Sequence, residues 1–307
     1  MRRWDMLVKK VGGSGLVSPP IGLGSLALAG AYGKADPAES FRTIKHAVEL
    51  GVSMIDISVP GLESRRNTVE RMVGKAVNGR RDEVLLVSCG RPDRPERSVE
   101  ASLRRLRTDR IDVYSLHLAG QARVEEAIGR LAGLVADGKV RRVGLCAPSP
   151  TQLRRAHAIH PISLVFSEYS LWNRRVEERL LPAARELGVA LTACRPLGRG
   201  FLSGRILSPA QFEAGDHRLT DPRFHTESLA RNLRLLPTAE TYAAQLNVGL
   251  SRLALAWLLS RGDDVVVLPS TRSRIHLEMN AAATNVHLPP EIGDALAAAF
   301  PDHSVTH

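Results

Sequence analysis

Short apolar segments of β type alternate with amphipathic segments of helical type along nearly all 307 residues of the chain. The strand-type runs are IGLG (21–24), VSMIDI (52–57), VLLVSC (84–89), IDVYSLH (111–117), VRRVGLCA (140–147), ISLVFSEY (162–169), VALTACRP (189–196) and VVVLPS (265–270). Between them, apolar residues recur every three or four positions, the helical period. Asp36, Pro37 and Glu39 make a helix start before Phe41, Ile44 and Val48, and Gly51 marks its end. Further helices are predicted over 67–77, 99–107, 124–138, 151–159 and 176–188. Two more precede the last strand, and PPEIGDALAAAFP predicts a C-terminal helix outside the rest. Several strands are apolar on both faces, as parallel strands covered by helices must be. Eight strand–helix units without a linker predict one (β/α)8 TIM barrel domain over 1–307. The glycine-rich GGSGLVSPP predicts an N-terminal β-hairpin that closes the barrel floor.

A hydrophobic share of 44% and a charged share of 24% suit an ordinary soluble protein. No uncharged run reaches bilayer length, and MRRWDMLVKKVGG holds too short an apolar run for a signal peptide. A cytoplasmic location without membrane contact is therefore expected, with Cys89, Cys146 and Cys194 reduced. The net charge of +10 comes from arginines scattered over helices and loops. No basic run, zinc-finger spacing or RNA-binding aromatic motif accompanies them, so no nucleic-acid partner is expected. Oligomeric state is left open.

Alternation along the strands points Asp56, Cys89, His117, Cys146, Phe166 and Cys194 into the barrel near its carboxyl end, where barrel enzymes place their chemistry. By the same parity Tyr114 points outward. A lone carboxyl in such a place is desolvated and its pKa should rise, which suits Asp56 to acid–base work with His117. Cys89 is a candidate nucleophile with His117 as its base, or simply a small apolar filler. Histidine and cysteines also suit zinc, but the cysteines stand on alternate strands, too far apart to share one ion, so no metal is expected. Tyr32 and Lys34, in the first strand–helix loop, are placed on the same face.

The stretches IGLG, AVELGVSMID, VEASLRRLRTDRIDVYSLH, GKVRRVGL, SEYSLW, PLGRGFLSG and LALAWLLSRGDDVVVLPSTR resemble the aldo-keto reductase family over nearly the whole chain. The resemblance implies a barrel that binds NADP(H) across its top and reduces carbonyls with a Tyr-Lys-His-Asp tetrad. Asp56 matches the family aspartate, although its motif reads DIS, and His117 matches the histidine. Cys89 stands where the lysine is implied, and VPGLESRRNTVERMVG holds no tyrosine. Around the implied nicotinamide, Cys146 and Ala147 replace a polar pair, Phe166 a glutamine and Cys194 a stacking aromatic, followed by Arg195. These positions, with Tyr32, become the expected substrate pocket. The implied nucleotide end is better kept, in Gly24, Leu197, Gly198, Arg199, Gly200, Ser270, Thr271, Arg272, His276 and Asn280.

Three readings follow. The first is acid–base chemistry on a small carbonyl compound (elimination, isomerisation or cyclisation) without net hydride transfer and with NADP(H) weakly held or not required. The second is an NADPH-dependent carbonyl reductase with an unusual proton donor, His117 or a tyrosine relocated to Tyr32. The third is a non-catalytic relative that binds a ligand or partner.

Overall fold

The computed structural model describes residues 8–59, 63–118 and 123–301. The loop residues 60–62 and 119–122, like both termini, lie outside the described residues. A two-stranded antiparallel hairpin, β1 (Lys9–Val11) and β2 (Leu16–Ser18), comes first. Its glycine-rich run is the turn, so the hairpin begins earlier than GGSGLVSPP. Eight parallel strands follow: β3 (Leu23–Gly24), β4 (Met54–Asp56), β5 (Leu85–Gly90), β6 (Ile111–His117), β7 (Val140–Cys146), β8 (Ile162–Glu168), β9 (Ala190–Cys194) and β10 (Val265–Leu268). They pair in sequence order, and β3 returns to β10 through Gly22 N to Val267 O and Gly24 N to Pro269 O, both 2.9 Å. The sheet thus closes on itself as a (β/α)8 barrel.

Two apolar layers form because successive side chains of a covered strand face opposite ways. Met54, Val87, Val113, Leu164, Phe166, Ala190 and Val266 fill the lumen, with Val11 of the hairpin packed under them. Gly13 N donates to Gly188 O at 2.6 Å, which fixes the hairpin at the amino ends of the strands as the floor. Outside the sheet, Ile44, Val73, Tyr114, Leu131 and Trp257 belong to the strand–helix layer, so Tyr114 does point outward.

Helix α1 (Pro37–Leu50) carries its expected signals: the Asp36 carboxylate accepts from Ala38 N at 2.9 Å, and Gly51 ends the helix at φ 83°. Helix α2 (Glu63–Ala76) starts four residues before the predicted 67, since its first turn has no apolar residue to show a period. The predicted 176–188 helix divides into a 3-10 turn at Arg175–Glu177 and a helix over Leu180–Glu186. Pro182 explains the break, because its ring excludes the backbone donor that a continuous helix needs there. The C-terminal helix Pro290–Ala299 lies outside the barrel, where Gly293 O accepts from Trp257 Nε1 at 3.0 Å. No helix among the described residues is long and apolar enough to cross a membrane.

Gly74 permits the close crossing of α2 with helix α3 (Pro95–Leu106), since a Cβ there would run into the Leu106 backbone carbonyl. Gly74→Ala is expected to destabilise the fold by about 2 kcal/mol, although alanine is the better helix former by about 1 kcal/mol. Urea unfolding checks this, and an unchanged midpoint would contradict the crossing.

Candidate active site

A cavity of about 580 Å³ opens at the carboxyl end of the barrel. Asp56, His117, Cys146, Phe166 and Cys194 all line its base, as the alternation requires. Asp56 ends β4 and is buried; Ser58 N donates to its Oδ1 at 2.9 Å. Burial outweighs that hydrogen bonding and pushes its pKa up to about 6. His117 ends β6 and is exposed. Among the described residues no hydrogen bond or ion pair joins it to Asp56, and no lysine lines the cavity. A substrate between the two side chains would have to connect them.

The cysteines differ from expectation in one respect. Cys146 Sγ lies 3.1 Å from Cys89 Sγ, although β6 runs between their strands. Barrel curvature turns the two thiols toward each other, and the small Ser115 and Gly144 leave them room; a Cβ on Gly144 would strike Ser115 Oγ. Their backbones stay two strand spacings apart, about 4.8 Å each, beyond the roughly 7 Å between Cα atoms that a disulfide tolerates. All three cysteines are free, and no cluster of three His, Cys, Asp or Glu suited to a metal occurs among the described residues. The Cys89 hydrogen bond, then burial, raise the Cys146 pKa well above the ordinary thiol value; burial and nearby Asp56 push Cys194 up to about 12. Cys89 does not line the cavity. It sits against Cys146, a poor position for a nucleophile.

The loop after β9 brings Arg195 and Arg199 to the cavity wall, both at positive φ, 50° and 57°. Arg195 Nη1 donates to Glu168 Oε2 at 3.2 Å, and Arg199 Nη1 lies 3.2 Å from Asp221 Oδ2. Arg223 Nη1 donates to Glu168 Oε1 at 2.6 Å, and its Nη2 to Asp221 Oδ2 at 2.8 Å. Sequence reasoning missed Glu168, Asp221 and Arg223, as well as the ion pair of Asp216 with Arg218 (2.6 Å). A signal was present: DHRLTDPR holds Asp-X-Arg twice, and each aspartate caps a 3-10 turn and pairs with the arginine two residues on.

Tyr32 is half-buried in the same wall, and the charges that bear on it are Arg195, Arg199, Glu168 and Arg218. Burial raises its pKa. Arg218 lies 5.3 Å over its ring, and His217 N donates to Ala31 O at 2.9 Å, which ties the long connection to this first loop. Lys34 is outside the cavity; its backbone N donates to Glu213 Oε2 at 2.9 Å beside a separate crevice. Tyr32 and Lys34 therefore do not form a replacement pair at Asp56.

The cavity continues to Gly24, Ser270, Thr271, Arg272, His276 and Asn280, with Leu197 and Gly200 between. Gly198 does not reach it. Its φ is 56°, and a Cβ there would meet the Trp172 ring, so this residue shapes the loop from behind. Arg272 Nη1 donates to Gly33 O at 2.8 Å, and Arg205 Nη1 lies 3.4 Å from His276 Nε2. These basic groups with the buried Asn280 amide suit the phosphate-bearing end of a dinucleotide. At the positions where the resemblance implies the nicotinamide, Cys146, Ala147, Phe166 and Cys194 offer a carboxamide no strong hydrogen-bonding side chain.

The sequence profile of the aldo/keto reductase family matches residues 20–299. A Schizosaccharomyces pombe relative, aldo-keto reductase yakc, whose name specifies NADP(+), is 33% identical over 290 residues, 88% of this chain and 85% of its own. An aldo/keto reductase from Klebsiella pneumoniae, solved with NADP and acetate, superposes with a TM-score of 0.76 at 27% identity over 96% of both chains. A Gluconobacter oxydans glycerol dehydrogenase shares the fold at a TM-score of 0.85 and 24% identity, over 95% of this chain and 94% of its own. With a match running from the first barrel strand to the last helix and a relative sharing a third of its residues, this chain belongs to the aldo/keto reductase family.

Proposed function

We propose that the protein catalyses proton transfer on a small carbonyl compound, leading to elimination, isomerisation or cyclisation without net hydride transfer. The observation that carries this reading is Asp56, a buried carboxyl with a pKa of about 6 at the base of a cavity it shares with His117. Such a pKa leaves the group largely ionised at neutral pH yet basic enough to take a proton from the carbon beside a carbonyl. His117, two strands along at the end of β6, donates to the developing enolate oxygen and takes that proton back as Asp56 returns its own to carbon in the second half of the reaction. The same reading is supported by what sets the Asp56 pKa, which is burial and the Ser58 hydrogen bonds with no cation among the causes. The thiols around it remain protonated and act as a low-polarity lining.

The second reading is NADP(H)-dependent reduction with His117 as proton donor. The continuity of the cavity with Arg272, His276 and Asn280 favours it, as does the NADP(+) in the name of the yakc relative. Bound NADP(H) would supply a hydride, and these residues would hold its phosphate-bearing end.

Deuterium exchange separates the two. Carbonyl compounds incubated with the protein in D2O are expected to gain deuterium beside the carbonyl, seen by NMR, with no nicotinamide nucleotide added. His117→Ala should slow this about 100-fold. Carbonyl consumption that requires NADPH, with deuterium delivered only from labelled NADPH, would establish the second reading instead.

A further inference from the structure

The wall above Asp56 carries more positive charge than its carboxylates neutralise. Three guanidiniums, Arg195, Arg199 and Arg223, share two carboxylates, Glu168 and Asp221. Arg223 is saturated, with Nε and Nη2 on Asp221 and Nη1 on Glu168. Arg218 is balanced by Asp216. The excess therefore rests on Arg195 and Arg199, which both line the cavity. Of the five N–H groups of Arg195, the one hydrogen bond to Glu168 Oε2 engages one. Arg199 is 3.8 Å from that same oxygen, and its buried Nε has no partner.

Both arginines hold a left-handed backbone, which costs a residue with a side chain about 1 kcal/mol or more and persists where the surroundings demand that direction. Arg195 also follows Cys194 directly, and Cys194 senses both Asp56 and Arg195. The unneutralised charge and the buried carboxyl thus line one cavity. A planar guanidinium with free N–H groups matches an oxyanion bidentately.

We propose that Arg195, backed by Arg199, is the specificity-determining contact for an oxyanion on the substrate, so that the compound handled at Asp56 is an oxo acid bearing a carboxylate. Only the word substrate rests on the acid–base reading of Asp56; anion recognition stands on the arginines themselves. A dinucleotide pyrophosphate shares this chemistry, and the test separates the two sources.

The test is calorimetric titration of the whole protein with 2-oxo acids from pyruvate to 2-oxoglutarate, their neutral amides, and inorganic pyrophosphate. The wild type is expected to bind at least one oxo acid ten-fold or more tightly than its amide, with affinity falling as salt rises. Arg195→Met should erase that discrimination and leave amide affinity unchanged. Arg195→Lys, which keeps the charge and the fold but loses the fork, should retain part of it. Equal binding of acid and amide, no measurable oxo-acid binding, or discrimination that survives Arg195→Met would each overturn the proposal. Loss of pyrophosphate binding alone in Arg195→Met would also overturn it, by assigning the arginines to a nucleotide. Discrimination without deuterium exchange would uphold it while the acid–base reading fails.

Discussion

Asp56→Asn is expected to slow deuterium exchange into a carbonyl compound by about 10²- to 10⁴-fold, the range for losing a general base, while making the fold more stable at pH 8. The two effects share one cause. The carboxyl is buried, and its pKa stands at about 6 in place of the ordinary 3.8. The folded state therefore binds this proton more tightly than the unfolded chain does. The resulting stabilisation is fully present below about pH 4 and is lost as pH rises through 6. Above pH 7 the wild type carries an ionised carboxylate that the Ser58 amide and hydroxyl solvate only in part, a penalty of up to about 3 kcal/mol. Asparagine keeps the shape, still accepts from Ser58 N and does not titrate. The variant should thus gain on the wild type between pH 4 and 6 and melt about 5 °C higher at pH 8. Calorimetric melting at pH 4.5 and pH 8 measures this. A variant no more stable at pH 8 would mean that the carboxylate is satisfied and that no strained base exists there. In the wild type, exchange should rise with pH through about 6 and then level.

The positions that alternation alone could place came out legible. Asp56, His117, Cys146, Phe166 and Cys194 line the cavity because a period of two and a shared barrel axis leave them no other direction. Cys89 obeys the same parity yet is covered, since which inward residue reaches the cavity depends on its neighbour's size. Contact between Cys89 and Cys146 was illegible, because curvature brings side chains together across a strand that separates their backbones. Loops were harder still. Tyr32 joins the arginine cluster and Lys34 leaves the site through contacts with Glu213 and the 217–218 turn, more than 170 residues along the chain. Helix ends shifted where the first turn was wholly polar, as in α2, or where Pro182 interrupts the donors. The family resemblance supplied what spacing could not, the pairing of each strand end with an implied role. The arginine cluster lay outside both sources, although its Asp-X-Arg repeat was plain to read.

Glu168→Ala is expected to cost about 3 kcal/mol of stability at low ionic strength, and added phosphate should restore much of it. Glu168 ends β8 and is the hub of the cluster. It accepts from Arg223 Nη1 at 2.6 Å, Arg195 Nη1 at 3.2 Å and Asn173 Nδ2 at 3.3 Å. Burial alone would raise its pKa, but Arg223, Arg195 and Arg199 more than offset that and hold it below the ordinary value. Its contribution is therefore present at neutral pH and is lost as pH falls through its folded pKa. Without it, three guanidiniums face Asp221 alone, and removing one partner of a buried ion pair typically costs about 3–5 kcal/mol. The lower end applies, since Arg195 and Arg199 still meet solvent through the cavity. That opening is also why an oxyanion can take the vacated place: at about 100 times its Kd, phosphate would return about 2.7 kcal/mol. Sodium chloride of equal ionic strength is the control, because screening relieves the repulsion without filling the site. Glu168→Gln, which keeps hydrogen-bonding atoms but no charge, should fall between the alanine variant and the wild type. Should the alanine variant melt with the wild type and ignore phosphate, the arginines would already be satisfied by water, and the wall would hold no unneutralised charge for a substrate to meet.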